Sequence, residues 1–430
     1  MGLEVFARGN LPRWVKVRQQ LNAVGVSDVA AAVAREFQRP EVRDAIRPGT
    51  RVALTAGSRG IDRIAEVLKA AVNEVRRLGG EPFIVPAMGS HGGATAAGQR
   101  ALIAHYGVTE AAMGCPIHAS METVLLGELE RGVPVYFDKI AYEQADAVIP
   151  VGRVKPHTDF HGPIESGLMK MIAIGLGKQK GADFFHSQGF PEFHYLIPTV
   201  GSFTLSRVNI PFGIALVENG HGRLSLIEAV PAAGMLAREQ ELLRIARERL
   251  ARLPGERVDV LLIDEIGKDI SGDGADPNVI NRDVSGLLTT SKLDLKPTVQ
   301  RVVFRDLTPE TDGNATGIGL GDFVLRRLVD KLDPIATAMN CITSKSPAAA
   351  RIPIVVDTDQ EALQLALASC LRTEVATAHI ARIRNTKHLE EFWASEPWLP
   401  ELLATGRVEP LGEPTPIAFD GDGMLVGDGE

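Results

Sequence analysis

Between Gly152 and His186 the chain gathers five cations, three imidazoles and six glycines. The mostly apolar run Ala145 to Val151 ends where this stretch begins, which is how a buried strand delivers chemistry to its carboxyl edge in an α/β protein. Pro156 fixes its own φ and pushes Lys155 toward an extended conformation, so His157 starts a loop. Further on, Ser166 to Leu176 is apolar apart from Ser166 and Lys170. Such surroundings hydrate an ammonium poorly and favour the free amine, which serves as a nucleophile or a point of attachment. The bland alternative is a lysine whose stem carries its amine to solvent while Met169 and Met171 fill core.

Two earlier loops offer related chemistry. Arg51 to Thr55 reads as a short buried strand, followed by Ala56-Gly-Ser-Arg-Gly-Ile-Asp62 and a periodic helix from Ile61 to Leu78 that closes at Gly79-Gly80. Strand, glycine loop and helix present backbone N–H groups and a positive helix end to an anion, with Ser58 and Arg59 facing it; plain turn chemistry would use the same residues. The unit repeats as strand Pro82 to Met88, loop Gly89 to Thr95 and helix Ala96 to Tyr106. His91, set among glycines at a strand end, suits proton transfer near neutrality, or else caps the helix.

The elements that must hold these loops alternate. Leu11 to Ile46 reads as two amphipathic helices, with a cap at Val26-Ser-Asp, and Glu122 to Leu129 with Val133 to Asp138 as a hairpin. Phe190 to Leu205 is helical, Gly213 to Glu218 and Leu224 to Val230 are strands, and a charge-rich helix from Ala232 to Leu253 ends at Pro254-Gly255, the best domain boundary. Beyond it come strands at Val258 to Ile263, Val299 to Arg305, Ile352 to Val356 and Ala378 to Ile383, with helices at Gly319 to Leu332, Glu361 to Cys370 and Lys387 to Leu403. The expectation is two α/β domains, 1–253 and 254–430, with mostly parallel sheets of Rossmann-like βα units and an active-site cleft between them. Lys268, in the acid- and glycine-rich loop Asp264 to Asn278, would meet a substrate anion there.

Composition narrows the function classes. At 430 residues, with 45% hydrophobic and 23% charged residues, the chain is that of an ordinary globular protein. A net charge of -8 and no basic cluster argue against a nucleic-acid surface. No eighteen apolar residues run together, and Met1 to Gln20 lacks the apolar core of a secretory leader, so the reading is a cytoplasmic protein without a membrane span. Cys115, Cys341 and Cys370 are too far apart for a disulfide framework or a Cys-based metal site and read as packing residues.

Taken in order, Ser58-Arg59, Gly89-Ser-His91-Gly, Lys155-Pro-His157, Ser166-Gly-Leu-Met-Lys170, His186 and Gly267-Lys-Asp-Ile-Ser271 resemble the nickel-dependent lactate racemase family, the 2-hydroxyacid racemases and epimerases that use a nickel pincer nucleotide. The resemblance implies an isomerase that inverts C2 of a 2-hydroxy acid, or a related polyol or sugar acid, by reversible hydride transfer to that cofactor. It implies that Lys170 carries the cofactor covalently, that His186 coordinates nickel, and that Ser58 contacts the cofactor. His91 and His157 would be the general bases of the two substrate faces, with Arg59 and Lys268 on the carboxylate. His157 is preferred to His161 because it sits at the strand end after Pro156, whereas His161 lies nearer the Gly162-Pro163 turn. Ala56 stands where the lactate enzymes have an aspartate, which points away from lactate itself. The implied partners are the enzymes that make and insert the cofactor, and self-association is compatible with the sequence. Two alternatives stay open: a binding or sensing homologue that has lost the chemistry, and a metal-assisted hydrolase or dehydratase using Asp264, Glu265 and Asp273.

Overall fold

The computed structural model describes residues 10–58, 60–282 and 296–427. The chain forms two compact units, Asn22–Leu250 and a second that joins Met1–Leu21 to Ala251–Glu430. Both are α/β, with mostly parallel sheets carrying helices, as the sequence indicates.

In the unit Asn22–Leu250, Arg51–Ala56 lies between Glu81–Pro86 and Ala147–Ile149, all parallel. These strands are almost continuously apolar because helices cover the sheet. Helix Ile64–Arg77 buries Ile64, Val67, Leu68, Ala71, Val72 and Val75, the stripe expected of a helix lying on a sheet. The run Ala145 to Val151 is not one strand. Pro150, which has no N–H to donate, divides it into Ala147–Ile149 and Val151–Arg153, and the second piece pairs parallel with Phe212–Glu218 in a separate sheet. Leu224–Pro231 completes that sheet antiparallel. The hairpin Thr123–Leu129 with Val133–Asp138 forms as expected.

In the other unit, Arg257–Ile263 is flanked in parallel by Thr298–Phe304 and Ile380–Ile383, and the parallel part continues through Phe323–Leu325 to Ile354–Val356. On the far side the same sheet turns antiparallel through Glu391–Ser395, Arg13–Gln19 and Val408–Pro410.

Three helical expectations are corrected here. Of Leu11 to Ile46, the Asp28-capped helix Val29–Gln38 and the short turn Pro40–Arg43 form, but Arg13–Gln19 is a strand. Val15 and Val17 alternate into the core of the Ala251–Glu430 unit, and the strand pairs with Glu391–Ser395. Gly319 to Leu332 yields strand Phe323–Leu325 before helix Arg326–Asp330. Lys387 to Leu403 begins as strand Glu391–Ser395 and becomes helical only at Leu399–Ala404. In each case a short apolar run with no decisive period finds a sheet neighbour, and pairing decides the outcome. Helix Pro334–Thr343, capped by Asp333, was not anticipated. Among the described residues no helix is long and apolar enough to cross a membrane.

Candidate functional site

Lys170 ends a single helical turn, Leu168–Lys170, whose Leu168 and Met169 are fully buried. The next five residues, Met171–Gly175, widen into a π-helix in which the Leu176 N–H reaches back to the Met171 carbonyl at 2.9 Å. Gly175 lets the chain leaving strand Glu81–Pro86 approach this turn, since a Cβ there would stand 2.7 Å from the Ala87 carbonyl and 2.9 Å from Met171 Sδ. Two loops close on this turn. Gly89, at φ 58°, donates its N–H to the Gly175 carbonyl at 3.2 Å, and Gly57 approaches so closely that a Cβ would lie 3.1 Å from Met171 Cε. The loops bearing His91 and Ser58 therefore both abut the segment that follows Lys170.

The side chains converge on phenylalanines. Lys170 is half-buried, with Nζ 5.7 Å from the centre of the Phe160 ring. The His157 imidazole lies 4.4 Å from the same ring and 6.1 Å from Phe190, while His186, on helix Lys178–Gln188, is 5.7 Å from both Phe190 and Phe193. Phe160 and Phe193 stand edge-on at 5.3 Å. One aromatic cluster thus has an amine and two imidazoles at its margin.

Buried carboxylates hold the margin in place. Glu165 is wholly buried; its Oε2 accepts the His157 N–H at 2.5 Å, and its Oε1 receives Arg247 at 2.5 Å and lies 3.3 Å from both the Gly162 nitrogen and His161 Nδ1. Glu239, on helix Met235–Arg249, accepts the Met169 N–H at 2.9 Å and so tethers the start of the Lys170 turn. Burial pushes the Glu239 carboxyl up to about 7, against the lowering effect of the Met169 and Leu168 N–H groups. Lys178, at φ 55° and fully buried, pairs with buried Asp138 at 2.6 Å and donates to the Pro86 carbonyl at 2.5 Å, which locks the helix carrying His186 to the strand that precedes His91. Gln99, also buried, donates to the Gly89 carbonyl at 2.9 Å and the His91 carbonyl at 3.2 Å.

Of the residues singled out from sequence, Lys170, His157 and His186 share the aromatic cluster, and the backbones of Ser58 and His91 belong to loops packed on the same turn. Ser58 accepts at its carbonyl from the Tyr106 hydroxyl, 3.1 Å away. His91 is exposed, with Nδ1 2.9 Å from the Met88 carbonyl. Arg59 lies outside the described residues. Lys268 belongs to the other unit, where its amine donates to the Gly272 carbonyl. Ala56 is buried in apolar core. Sequence reasoning passed over Glu165, Glu239, Gln99, Lys178 and the phenylalanines. Only the last left a trace, with Phe160, Phe184, Phe185, Phe190 and Phe193 supplying five of the fifteen phenylalanines within thirty-four residues. Glu165 and Arg247 are eighty-two residues apart, and no local pattern links them.

No protein-family model matches the chain, and no curated protein matches it either. Solved structures do. The lactate racemase apoprotein from Thermoanaerobacterium thermosaccharolyticum aligns at 13% identity over 90% of this chain and 96% of its own, with a TM-score of 0.51. The chain shares that fold. A protein from Thermotoga maritima aligns at 12% identity over 86% of this chain and 99% of its own, also at 0.51. At such identities the likeness is one of fold, and the chemistry must be argued from the site.

The residues present fit a flat group tethered to an amine and touched by one imidazole: Lys170 and His186 border the same cluster of ring faces. Among the described residues no three His, Cys, Asp or Glu side chains are grouped to hold a metal ion. A metal at His186 would take its other ligands from the bound group.

Proposed function

We propose that the chain is an isomerase, a racemase or epimerase acting at C2 of a 2-hydroxy acid or related sugar acid, with a nickel pincer nucleotide attached at Lys170 and touched by His186. The observation that carries this reading is the shared aromatic margin of Lys170, His157 and His186, against which the glycine loops of Ser58 and His91 close. When bound, that group supplies an acceptor and donor of hydride for C2. This chain's own residues do the rest. His91 gives its Nδ1–H to the Met88 carbonyl, because a carbonyl can only accept, and so keeps the lone pair of Nε2 for a substrate hydroxyl proton. A second imidazole, from the turn His157 to His161, serves the opposite face, since inversion needs a base on each side. Arg59 is proposed for the carboxylate, for which a guanidinium fork fixes orientation. The packed phenylalanines keep water from the reacting carbon.

The test is mass spectrometry with metal analysis on protein co-expressed with cofactor-making enzymes. The expected result is about one nickel per chain and an adduct on the peptide containing Lys170, both lost in Lys170→Ala. Metal-free, adduct-free protein from that host overturns the proposal. Buried Ala56, which offers no polar contact, favours the second reading of a binding homologue. Ligand binding that survives Lys170→Ala, with no turnover by either form, would select it.

A further inference from the structure

His157 and His161 lie four residues apart on one turn, but their hydrogen bonds give them opposite tautomers. Nδ1 of His157 is 3.0 Å from the Asp159 backbone nitrogen, which can only donate. That Nδ1 must hold a lone pair, so neutral His157 carries its proton on Nε2 and is a donor there. The Asp159 carboxylate is farther from Nδ1, at 3.4 Å. His161 Nδ1 instead faces the Glu165 carboxylate at 3.3 Å, an acceptor only. Neutral His161 therefore donates Nδ1–H and keeps the lone pair on Nε2, as neutral His91 does against the Met88 carbonyl.

Glu165 is built for this task. It is fully buried, its Oε1 is drawn to Arg247, and its Oε2 is held by the His157 N–H, so the carboxylate that orients His161 is itself fixed by partners on two elements. A carboxylate behind an imidazole holds the tautomer and stabilises the imidazolium formed when Nε2 takes a proton.

Resting on the isomerase reading above, we infer that the second base is His161 with Glu165 as its positioning residue, and that His157 is a hydrogen-bond donor to substrate. For the enantiomer on its side, the hydroxyl proton passes to His161 Nε2, whose imidazolium then faces Glu165, while the C2–H leaves with its electron pair for the hydride acceptor named above and a 2-oxo acid results. The hydride returns on the opposite face and the oxygen takes its proton from His91, the roles being exchanged in the reverse direction. Of His91, His157 and His161, it is His91 and His161 whose Nδ1 faces an acceptor and whose neutral form carries its lone pair on Nε2.

The test reads tautomers by 15N NMR on the full chain with 15N-labelled histidine, free of cofactor and substrate. His157→Asn and His161→Asn each delete one set of signals and so assign them. The expected result is an unprotonated Nε2 for His161 and a protonated Nε2 for His157, with the His161 pattern lost or mixed in Glu165→Gln. A protonated Nε2 on His161, or an unprotonated one on His157, overturns the assignment. Neither outcome depends on the adduct at Lys170, so failure here and failure of the isomerase reading are told apart. Once turnover is in hand, His161→Asn should lower kcat by roughly 10²–10⁴-fold, as for loss of a general base, whereas His157→Asn should act mainly on KM. The reverse split also overturns it.

Discussion

Two loops leave the carboxyl ends of parallel strands and both bury charge, yet they use it differently. After Arg257–Ile263, the charges neutralise one another. Arg305 bonds both oxygens of buried Asp359, at 2.7 and 2.6 Å, and also meets Asp264, which Arg382 grips in turn at 2.9 Å. Burial alone would lower the Arg305 pKa, but the two aspartates more than offset it and the pKa stands raised; Asp359, raised by burial, is held below its ordinary value by Arg305. Glu265 is similarly engaged by Arg384 and Asn385. Acids so committed are poorly placed to activate water, which weakens the hydrolase alternative. After Val151–Arg153, the buried carboxylates Glu165, in the loop itself, and Glu239, reaching in from helix Met235–Arg249, spend most of their contacts on backbone N–H groups and imidazole, and so position a turn. A closed charge network holds a fold together, whereas a carboxylate aimed at backbone and imidazole holds a geometry.

That contrast can be broken by substitution. Arg305→Ala should have the largest effect on stability, about 3–5 kcal/mol, because it strands Asp359 in the core. A shift of the urea midpoint worth less than about 1 kcal/mol would show that the network is dispensable. The adduct proposed at Lys170 should be unaffected in any protein that folds.

Glu239→Gln sharpens the other side through pH. The Glu239 carboxyl rises from 4.5 to about 7 in the folded chain, so across that window the folded state binds more protons than the unfolded one. Stability is fully present below 4.5 and falls as pH rises through about 7, the loss being on the order of 3 kcal/mol at higher pH. Glutamine keeps an acceptor for the Met169 N–H and removes the titration. Denaturation curves at several pH values should be flatter for the variant and place it above the parent under alkaline conditions. Parallel curves for the two proteins would contradict the burial argument. The smallest effect should come from Arg384→Ala, which removes a 2.9 Å ion pair to Glu265 from an arginine that is 67% exposed. It should change stability by about 1 kcal/mol or less, and a loss approaching that of Arg305→Ala would mean that the rim and centre of the network act as one.

Much of the frame was legible in the chain itself. The apolar runs at Arg51–Ala56, Glu81–Pro86 and Arg257–Ile263, each followed by glycines or acids, announced parallel strands whose ends carry the loops of interest. Asp28 was readable as a cap, and it caps. Arg13–Gln19 was not readable as a strand of the Ala251–Glu430 unit, because its partners lie more than three hundred and seventy residues away and seven residues hold too few periods to settle helix against strand.

The site divides in the same way. Sequence alone determined which chemistry-bearing residues the chain owns and that Lys170 sits in an apolar run, since residue type and spacing are local properties. Which imidazole nitrogen keeps its lone pair was decided only in three dimensions. Glu165 is held by Arg247 from a distant helix, His91 by the Met88 carbonyl in a turn pinned by Gln99, and His157 by a backbone N–H whose direction depends on how the loop folds. A tautomer follows from the direction of a hydrogen bond, and such directions exist only once the backbone has been packed.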